Sequence, residues 1–280
     1  MRIEAGKRYM LAGMLALAKP VLVKANAAGN PNDPLHKVAA SYKMPVLYLH
    51  QAMHLYDTIG LASVGLERDI FYQAYKGYLM LLGRGLVTNT KMLSIADFSQ
   101  SSRNKRLYVI DLEQERIVFY TFVSHGKNSG GEMATSFSNL TDSYKSTLGF
   151  LITADTYSGA AGYSLRFNGM EPGINDRVLR RDIVVHGSRY VNEREALEDG
   201  KVANSLGCPA VPMSNSRAII DCIKGGSVYY IYHPDDYYHA NSPILNADLW
   251  QGALFSPAVL AAGAEAADPS EPPIGENDQR

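Results

Sequence analysis

Apolar positions recur at helical spacing in the first part of the chain and at alternating spacing after it. In "VLYLHQAMHLYDTIG" the apolar run reads as a helix that stops at Gly60. In "LERDIFYQAYKGYLMLLGRG", Ile70, Phe71, Ala74, Tyr75, Tyr78, Leu79 and Leu82 share one face, which predicts a second helix closing at Gly83–Gly85. From about Met92 the period shortens. In "RLYVIDLEQERIVFYTFVSHG", Ile117, Phe119 and Thr121 alternate with Val118, Tyr120 and Phe122, so two strands are expected around "LEQER". "TLGFLITADTYSG" reads as another strand between glycines, followed by the turn-rich "FNGMEPGINDR". "DIVVHG" is a short apolar strand with charge before it and glycine after it. Ser214 is placed to N-cap a helix to Lys224, and "SVYYIYHP" is the returning strand.

The two ends differ from the middle. "MRIEAGKR" carries Arg2, Lys7 and Arg8, an apolar run from Tyr9 to Ala18 follows, and Ala25-Asn26-Ala27 offers a small-residue cleavage site. That order predicts a signal peptide over residues 1–27; Lys19 and Pro20 interrupt the apolar run, and an amphipathic first helix is the alternative. No other stretch approaches the ~20 apolar residues of a spanning helix. The mature protein is therefore expected to be exported to the periplasm or cell envelope, with no membrane span. "AAGNPNDP" reads as a polar linker, giving a linker and helical region over 28–91 and a β-rich domain over 92–240. The extension over 241–280 ends, from Glu265, in an acidic tail expected to be disordered.

Composition narrows the function classes. Apolar residues make up 46 % and charged residues 20 %, as in a globular chain. A net charge of −1 supplies no basic field for nucleic acid. His50 and His54 lie four apart on one helix face without further ligands, and no nucleotide or haem motif stands out, so no metal or cofactor is expected. The 18 tyrosines suggest half-exposed aromatic positions, in a groove or, with the larger share, at strand edges.

The candidate chemistry lies in "SLGCPAVP". Gly207 permits a sharp turn and Pro209 fixes φ without an N–H, so Cys208 sits in turn chemistry rather than in an apolar element. Cys222 shares a helix face with Ile219 and Ile223 and reads as core. A Cys208–Cys222 disulfide is open to the two cysteines, but Cys222 would have to leave that face. A thiol is only a few per cent ionised at neutral pH, and a neighbouring imidazole removes that obstacle. His186 ends a strand upstream and is the candidate partner. Backbone N–H groups at Gly207 and Cys208 are candidate oxyanion donors. Spacing alone makes this a weak signal, because a lone histidine after an apolar strand is usually a satisfied residue.

"IVVHG" followed by "SLGCPAVP" resembles the L,D-transpeptidase catalytic domain, which has histidine–glycine after a strand, then a small residue, any residue, glycine and cysteine. His186, Gly187, Ser205, Gly207 and Cys208 match that pattern, and "SHGKNSGG…STLGFLIT" resembles an earlier glycine-rich loop and strand of the family. The similarity covers roughly residues 92–238. Pro209 and Ala210 stand where the best-known form has an aliphatic residue and arginine, which resembles the divergent murein L,D-transpeptidase branch with a Gly-Cys-Pro motif. Arg166, Arg180, Arg181 and Arg189 are the candidate replacements for that arginine. The resemblance implies a mostly β, sandwich-like domain with N-terminal helices, α+β overall. It implies that Cys208 attacks a peptidoglycan stem tetrapeptide through a thioester acyl-enzyme, with His186 as base and the Gly187 carbonyl orienting it. Ser205, Gly207 and His125 are the implied substrate contacts. The alternatives are an L,D-carboxypeptidase or endopeptidase on the same site, and a catalytically inactive wall-binding module.

Overall fold

The computed structural model describes residues 33–249, so the expected signal peptide and the acidic tail lie outside the described residues. Three helices come first. Helix α1 (Pro34–Ser41) starts with a proline, and the Asp33 side chain accepts the Leu35 N–H at 3.0 Å, so the first turn is capped. Helix α2 (Val46–Ile59) stops at Gly60 as read, a single 3₁₀ turn (Leu61–Val64) follows, and α3 (Arg68–Gly83) completes the layer.

Eight strands form one sheet: β1 (Met92–Asp97), β2 (Leu107–Asp111), β3 (Arg116–Thr121), β4 (Gly149–Gly159), β5 (Gly162–Gly169), β6 (Val184–Ser188), β7 (Ala210–Pro212) and β8 (Val228–Tyr232). Their order is β3-β2-β1-β8-β4-β5-β6-β7, and β1/β8 and β6/β7 are the parallel pairs. Helix α4 (Glu193–Glu198) lies between β6 and β7, α5 (Met213–Ile223) between β7 and β8, and α6 (Asp236–Asn241) follows β8. Helix α5 leaves β7 directly, so Pro212 takes the cap position and Ser214 falls inside the first turn, not at the N-cap as expected.

Strand β8 is buried along its whole length. Alternate side chains point to opposite faces of a strand. Tyr230 turns toward α3, where its hydroxyl donates to Gln73 Oε1 at 3.2 Å, and Tyr229 faces the other way against Phe167. Tyrosine also fills the contact between helices and sheet. Tyr48, Tyr56, Tyr72, Tyr75 and Tyr78 are all buried. Their polar ends find acceptors: Tyr56 donates to the Leu66 carbonyl at 2.7 Å and Tyr78 to the Thr90 carbonyl at 2.8 Å. A buried tyrosine with a satisfied hydroxyl contributes its full apolar area. These tyrosines are core, whereas Tyr42, Tyr120, Tyr157 and Tyr163 are half-buried, so the half-exposed reading applies to the second group and not to the first.

The sheet curls until its two edges meet. Just beyond β3, the Ser124 N–H donates to the Ala210 carbonyl of β7 at 2.9 Å, and Gly126 bridges to Ser205. This closure gives the mostly β, sandwich-like arrangement and places the loop around Cys208 against the segment around His125. The last described residues strap back over the helices: Lys43 Nζ donates to the Asn246 carbonyl at 2.9 Å and Lys76 Nζ to the Leu245 carbonyl at 2.6 Å. Among the described residues, no helix is long and apolar enough to cross a membrane.

Candidate active site

Strands β6 and β7 run in parallel with His186 opposite Ala210, so Cys208, just before β7, comes to lie beside Val184. The Val184 N–H points at Cys208 Sγ at 3.5 Å, and the thiol faces the Asp182 carbonyl at 3.4 Å. Val184 and His186 are two apart on β6 and point to the same face, a step of about 7 Å along the strand. Cys208 and His186 thus line one cavity of about 410 Å³, together with Lys127, Tyr157, Asp182 and Ser205. The thiol hydrogen bonds to Asp182 here, not to His186.

His186 is half-buried, and its Nδ1 lies 3.1 Å from the Gly187 carbonyl. A carbonyl only accepts, so Nδ1 carries the proton there and Nε2 is left with a lone pair for the cavity. Gly187 is also the point where α5 packs on β6. A Cβ at this position would stand 2.6 Å from Ser216 Oγ and 2.9 Å from Met213 Sδ, so only glycine fits beneath the helix.

Ser205 is spent inside the loop. Its hydroxyl donates to the Cys208 carbonyl at 2.6 Å and accepts the Gly207 N–H at 3.1 Å. Its own N–H donates to the His125 carbonyl at 2.9 Å, and its carbonyl takes the Lys127 N–H at 2.8 Å. Gly207 holds φ +122, and a Cβ there would meet the Lys145 carbonyl at 2.9 Å and Ile183 Cδ1 at 3.0 Å. The glycine is required twice, by conformation and by space. Because Ser205 already takes the Gly207 N–H, that group is not an open oxyanion donor in this geometry.

His125 is placed differently from the expectation that it touches substrate. Its side chain is fully buried, edge-on to Phe98, with Nδ1 2.7 Å from an Arg106 guanidinium nitrogen and Nε2 3.2 Å from the Gly130 carbonyl. Both ring nitrogens are used, Nδ1 as acceptor and Nε2–H as donor. Burial, reinforced by the Arg106 charge, pulls its pKa down to about 4, so the ring is neutral. His125 reaches the site only through its carbonyl, which holds Ser205.

Burial pushes the Cys208 thiol pKa up; the Val184 N–H and the Arg181 guanidinium oppose this, and Asp182 adds to it. Cys222 is half-buried with Sγ 3.5 Å from Met92 Sδ, and both cysteines are free. Of the four candidate arginines, Arg180 and Arg189 are exposed. Arg166 lies 4.0 Å over the ring of Tyr157, a cavity wall residue. Arg181 is half-buried behind the Cys208 loop, with one guanidinium nitrogen on the Ser138 carbonyl at 2.6 Å. Asp182, whose carbonyl holds the thiol, stands outside the two motifs; its φ of +51, rare for a residue with a side chain, carries no sequence signature.

No curated protein matches the chain. Among solved structures, an L,D-transpeptidase from Mycobacterium smegmatis is similar at 12 % identity and a TM-score of 0.32, over 51 % of this chain and 59 % of that one. The helical cell shape determining protein from Campylobacter jejuni is similar at 11 % identity and a TM-score of 0.35, over 59 % of this chain and 55 % of that one. An L,D-transpeptidase from Stackebrandtia nassauensis is similar at 14 % identity and a TM-score of 0.31, over 75 % of this chain and 94 % of that one. The chain spans about three fifths of the length of the Mycobacterium smegmatis protein. The family model described as the L,D-transpeptidase catalytic domain matches residues 62–232, starting ahead of α3 and so earlier than the resemblance read from the motifs. That match takes in more than half of the chain, and the chain belongs to the L,D-transpeptidase catalytic domain family.

Proposed function

We propose that the protein is a cysteine-dependent L,D-transpeptidase acting on peptidoglycan stem tetrapeptides in the cell envelope. One observation carries this reading. Cys208 and His186 line the same cavity, and His186 is anchored through Nδ1 with Nε2 left open. Rotation of Cys208 about its Cα–Cβ bond takes Sγ from the Asp182 carbonyl toward His186 Nε2. The imidazole accepts the thiol proton, and the thiolate attacks the carbonyl of the third stem residue, a diamino acid, at its L-centre. The bond to terminal D-alanine breaks as His186 returns the proton to the leaving amine. A thioester on Cys208 remains, and the amine of a second stem resolves it into a cross-link. The Cys208 N–H is the loop's donor for the developing oxyanion, since Pro209 has no N–H and Ser205 holds that of Gly207. Lys127 and Tyr157, on the cavity wall, are positioned to meet the stem peptide.

The test is incubation of the purified protein with tetrapeptide muropeptides. Release of D-alanine with formation of dimers is the expected outcome, lost in Cys208→Ala. Release with tripeptides as the sole product assigns water as acceptor and makes the protein a hydrolase. D-alanine release by folded Cys208→Ala at the wild-type rate overturns the cysteine mechanism.

A further inference from the structure

Arg181 carries a charge that the fold half-buries beside the Cys208 loop without giving it a carboxylate. One guanidinium nitrogen donates to the Ser138 carbonyl at 2.6 Å; the other donates to the Lys145 carbonyl at 2.6 Å and to Ser143 Oγ at 3.2 Å. All three acceptors are neutral, and among the described residues no carboxylate lies within ion-pair distance of Arg181. The same fork is pressed against the loop that presents Cys208. A Cβ built on Gly207 would stand 3.6 Å from the Arg181 nitrogen. A half-buried cation held by neutral acceptors gains from an anion that forms near it. The anion that the site can generate is the thiolate.

We propose that Arg181 is the electrostatic partner of the Cys208 thiolate, a positioning residue that holds a fixed positive charge behind the nucleophile instead of binding a substrate carboxylate. The loop explains why a side chain is needed for this. Pro209 has no N–H, and the Gly207 N–H is on Ser205, so the Val184 N–H is the backbone donor that reaches the sulfur. Against it work burial of the thiol and the neighbouring Asp182. The other charged or titratable groups on this face are Lys127, whose Nζ lies 4.2 Å over the Tyr144 ring, Tyr157, which Arg166 covers at 4.0 Å, and His186. Lys145 sends its Nζ away to Ser136 Oγ at 2.6 Å. Burial lowers the Arg181 pKa, and the charge that opposes this is that of Cys208.

The catalytic meaning of this pairing rests on Cys208 being the nucleophile, but its test needs no substrate. Alkylation of Cys208 by iodoacetamide is followed against pH in the full chain, with the Cys222 adduct separated by mass spectrometry. Arg181→Gln should raise the midpoint by about one pH unit, a roughly tenfold loss of thiolate at any lower pH, while Arg181→Lys, which keeps the charge, restores most of it. A folded Arg181→Gln protein with the wild-type midpoint overturns the proposal. Where Arg181→Gln does not fold, the Arg181 side-chain N–H signals in nuclear magnetic resonance decide. They should move with the thiol's midpoint in the wild type and lose that movement in Cys208→Ala; signals that ignore the thiol in the wild type overturn the pairing. Loss of D-alanine release with an intact pairing, or the reverse, separates a failure of the proposed function from a failure of this inference.

Discussion

His125–Gly126 and His186–Gly187 are the same dipeptide, the first beyond the end of β3 and the second inside β6, which runs on to Ser188 instead of ending at His186 as expected, and their surroundings differ sharply. His125 is wholly buried with a partner on each nitrogen, the Arg106 guanidinium and the Gly130 carbonyl. His186 is half-buried with its Nδ1 on the Gly187 carbonyl, no partner on Nε2 among the described residues, and a cavity wall shared with Cys208. On the proposed function, what separates the structural imidazole from the one assigned to the chemistry is the number of ring nitrogens the fold leaves unused. The two regions still act together, because the His125 carbonyl holds Ser205 and Ser205 holds the Cys208 carbonyl.

The largest expected difference between the two histidines is in activity. His186→Ala should cut D-alanine release by on the order of 10³-fold or more, and the Cys208→Ala, His186→Ala double variant should be hardly worse than Cys208→Ala alone, because nucleophile and base act as a unit. His125→Ala should leave Cys208 open to alkylation by iodoacetamide at pH 8. If His125→Ala abolished that alkylation in folded protein while His186→Ala spared D-alanine release, the assignment of the two rings would be reversed.

Stability should show the opposite ranking. Removing the His125 ring leaves one guanidinium nitrogen of the buried Arg106 with the Val123 carbonyl as its remaining partner, at 3.0 Å. A hydrogen bond to a charged group contributes about 1.5–3 kcal/mol, and the vacated space adds to the loss, so His125→Ala should cost about 3 kcal/mol in urea unfolding. His186→Ala removes a half-buried ring at a cavity wall and should cost about 1 kcal/mol or less. Equal losses would mean that the burial contrast does not carry the energy assigned to it.

The motif around each histidine was legible in the sequence, but the contrast between them was not. "IVVHG" and "SLGCPAVP" located His186 and Cys208, because turn residues around a cysteine report on local backbone. The fate of His125 depends on Arg106, which the antiparallel register of β2 and β3 brings opposite the residues after β3, and a charged residue at a strand's start gives no sign of being buried. Strand β5 carries a readable signal outside the expected elements: Tyr163, Leu165 and Phe167 alternate with Ser164, Arg166 and Asn168. Only its last residues, from Phe167, fall in the stretch that reads as turn-rich. The short β7 had no periodicity to read, since three residues between Pro209 and α5 are strand only through their pairing with β6. The buried tyrosines of the helical layer are not legible from composition, because backbone carbonyls supplied by the tertiary fold accept hydroxyls such as those of Tyr56 and Tyr78.

Acid should reach the two regions differently. In the unfolded chain a histidine titrates at about 6.5. In the fold His125 is pulled down to about 4 by burial and by Arg106. Above the unfolded value neither state binds the proton, and the stability of the fold is fully present. As pH falls from about 6.5 toward 4 the unfolded state takes up a proton that the folded state refuses, so stability is lost, by an amount on the order of 2–3 kcal/mol. The difference between wild type and His125→Gln in urea unfolding at pH 7.5 and at pH 4.5 isolates this contribution from that of the carboxylates. A difference that stays constant between the two pH values would show that His125 is not held neutral by its surroundings.

The smallest expected effect lies in the link between the regions. Ser205 joins them through one hydroxyl that donates to the Cys208 carbonyl and accepts the Gly207 N–H. Ser205→Ala deletes both bonds but leaves the backbone pairing with His125 and Lys127 intact. Each lost bond is worth about 1 kcal/mol, and water at the cavity wall replaces part of it, so release of D-alanine should fall about tenfold. Because the Gly207 N–H is freed at the same time, the loop gains a second oxyanion donor beside that of Cys208. The deficit should therefore appear mainly in KM, through a less ordered loop, with kcat close to wild type. Ser205→Thr keeps the hydroxyl and should recover most of the loss. A kcat deficit as large as that of His186→Ala would place Ser205 in the chemistry itself and dissolve the distinction between a histidine that reacts and a loop that only positions.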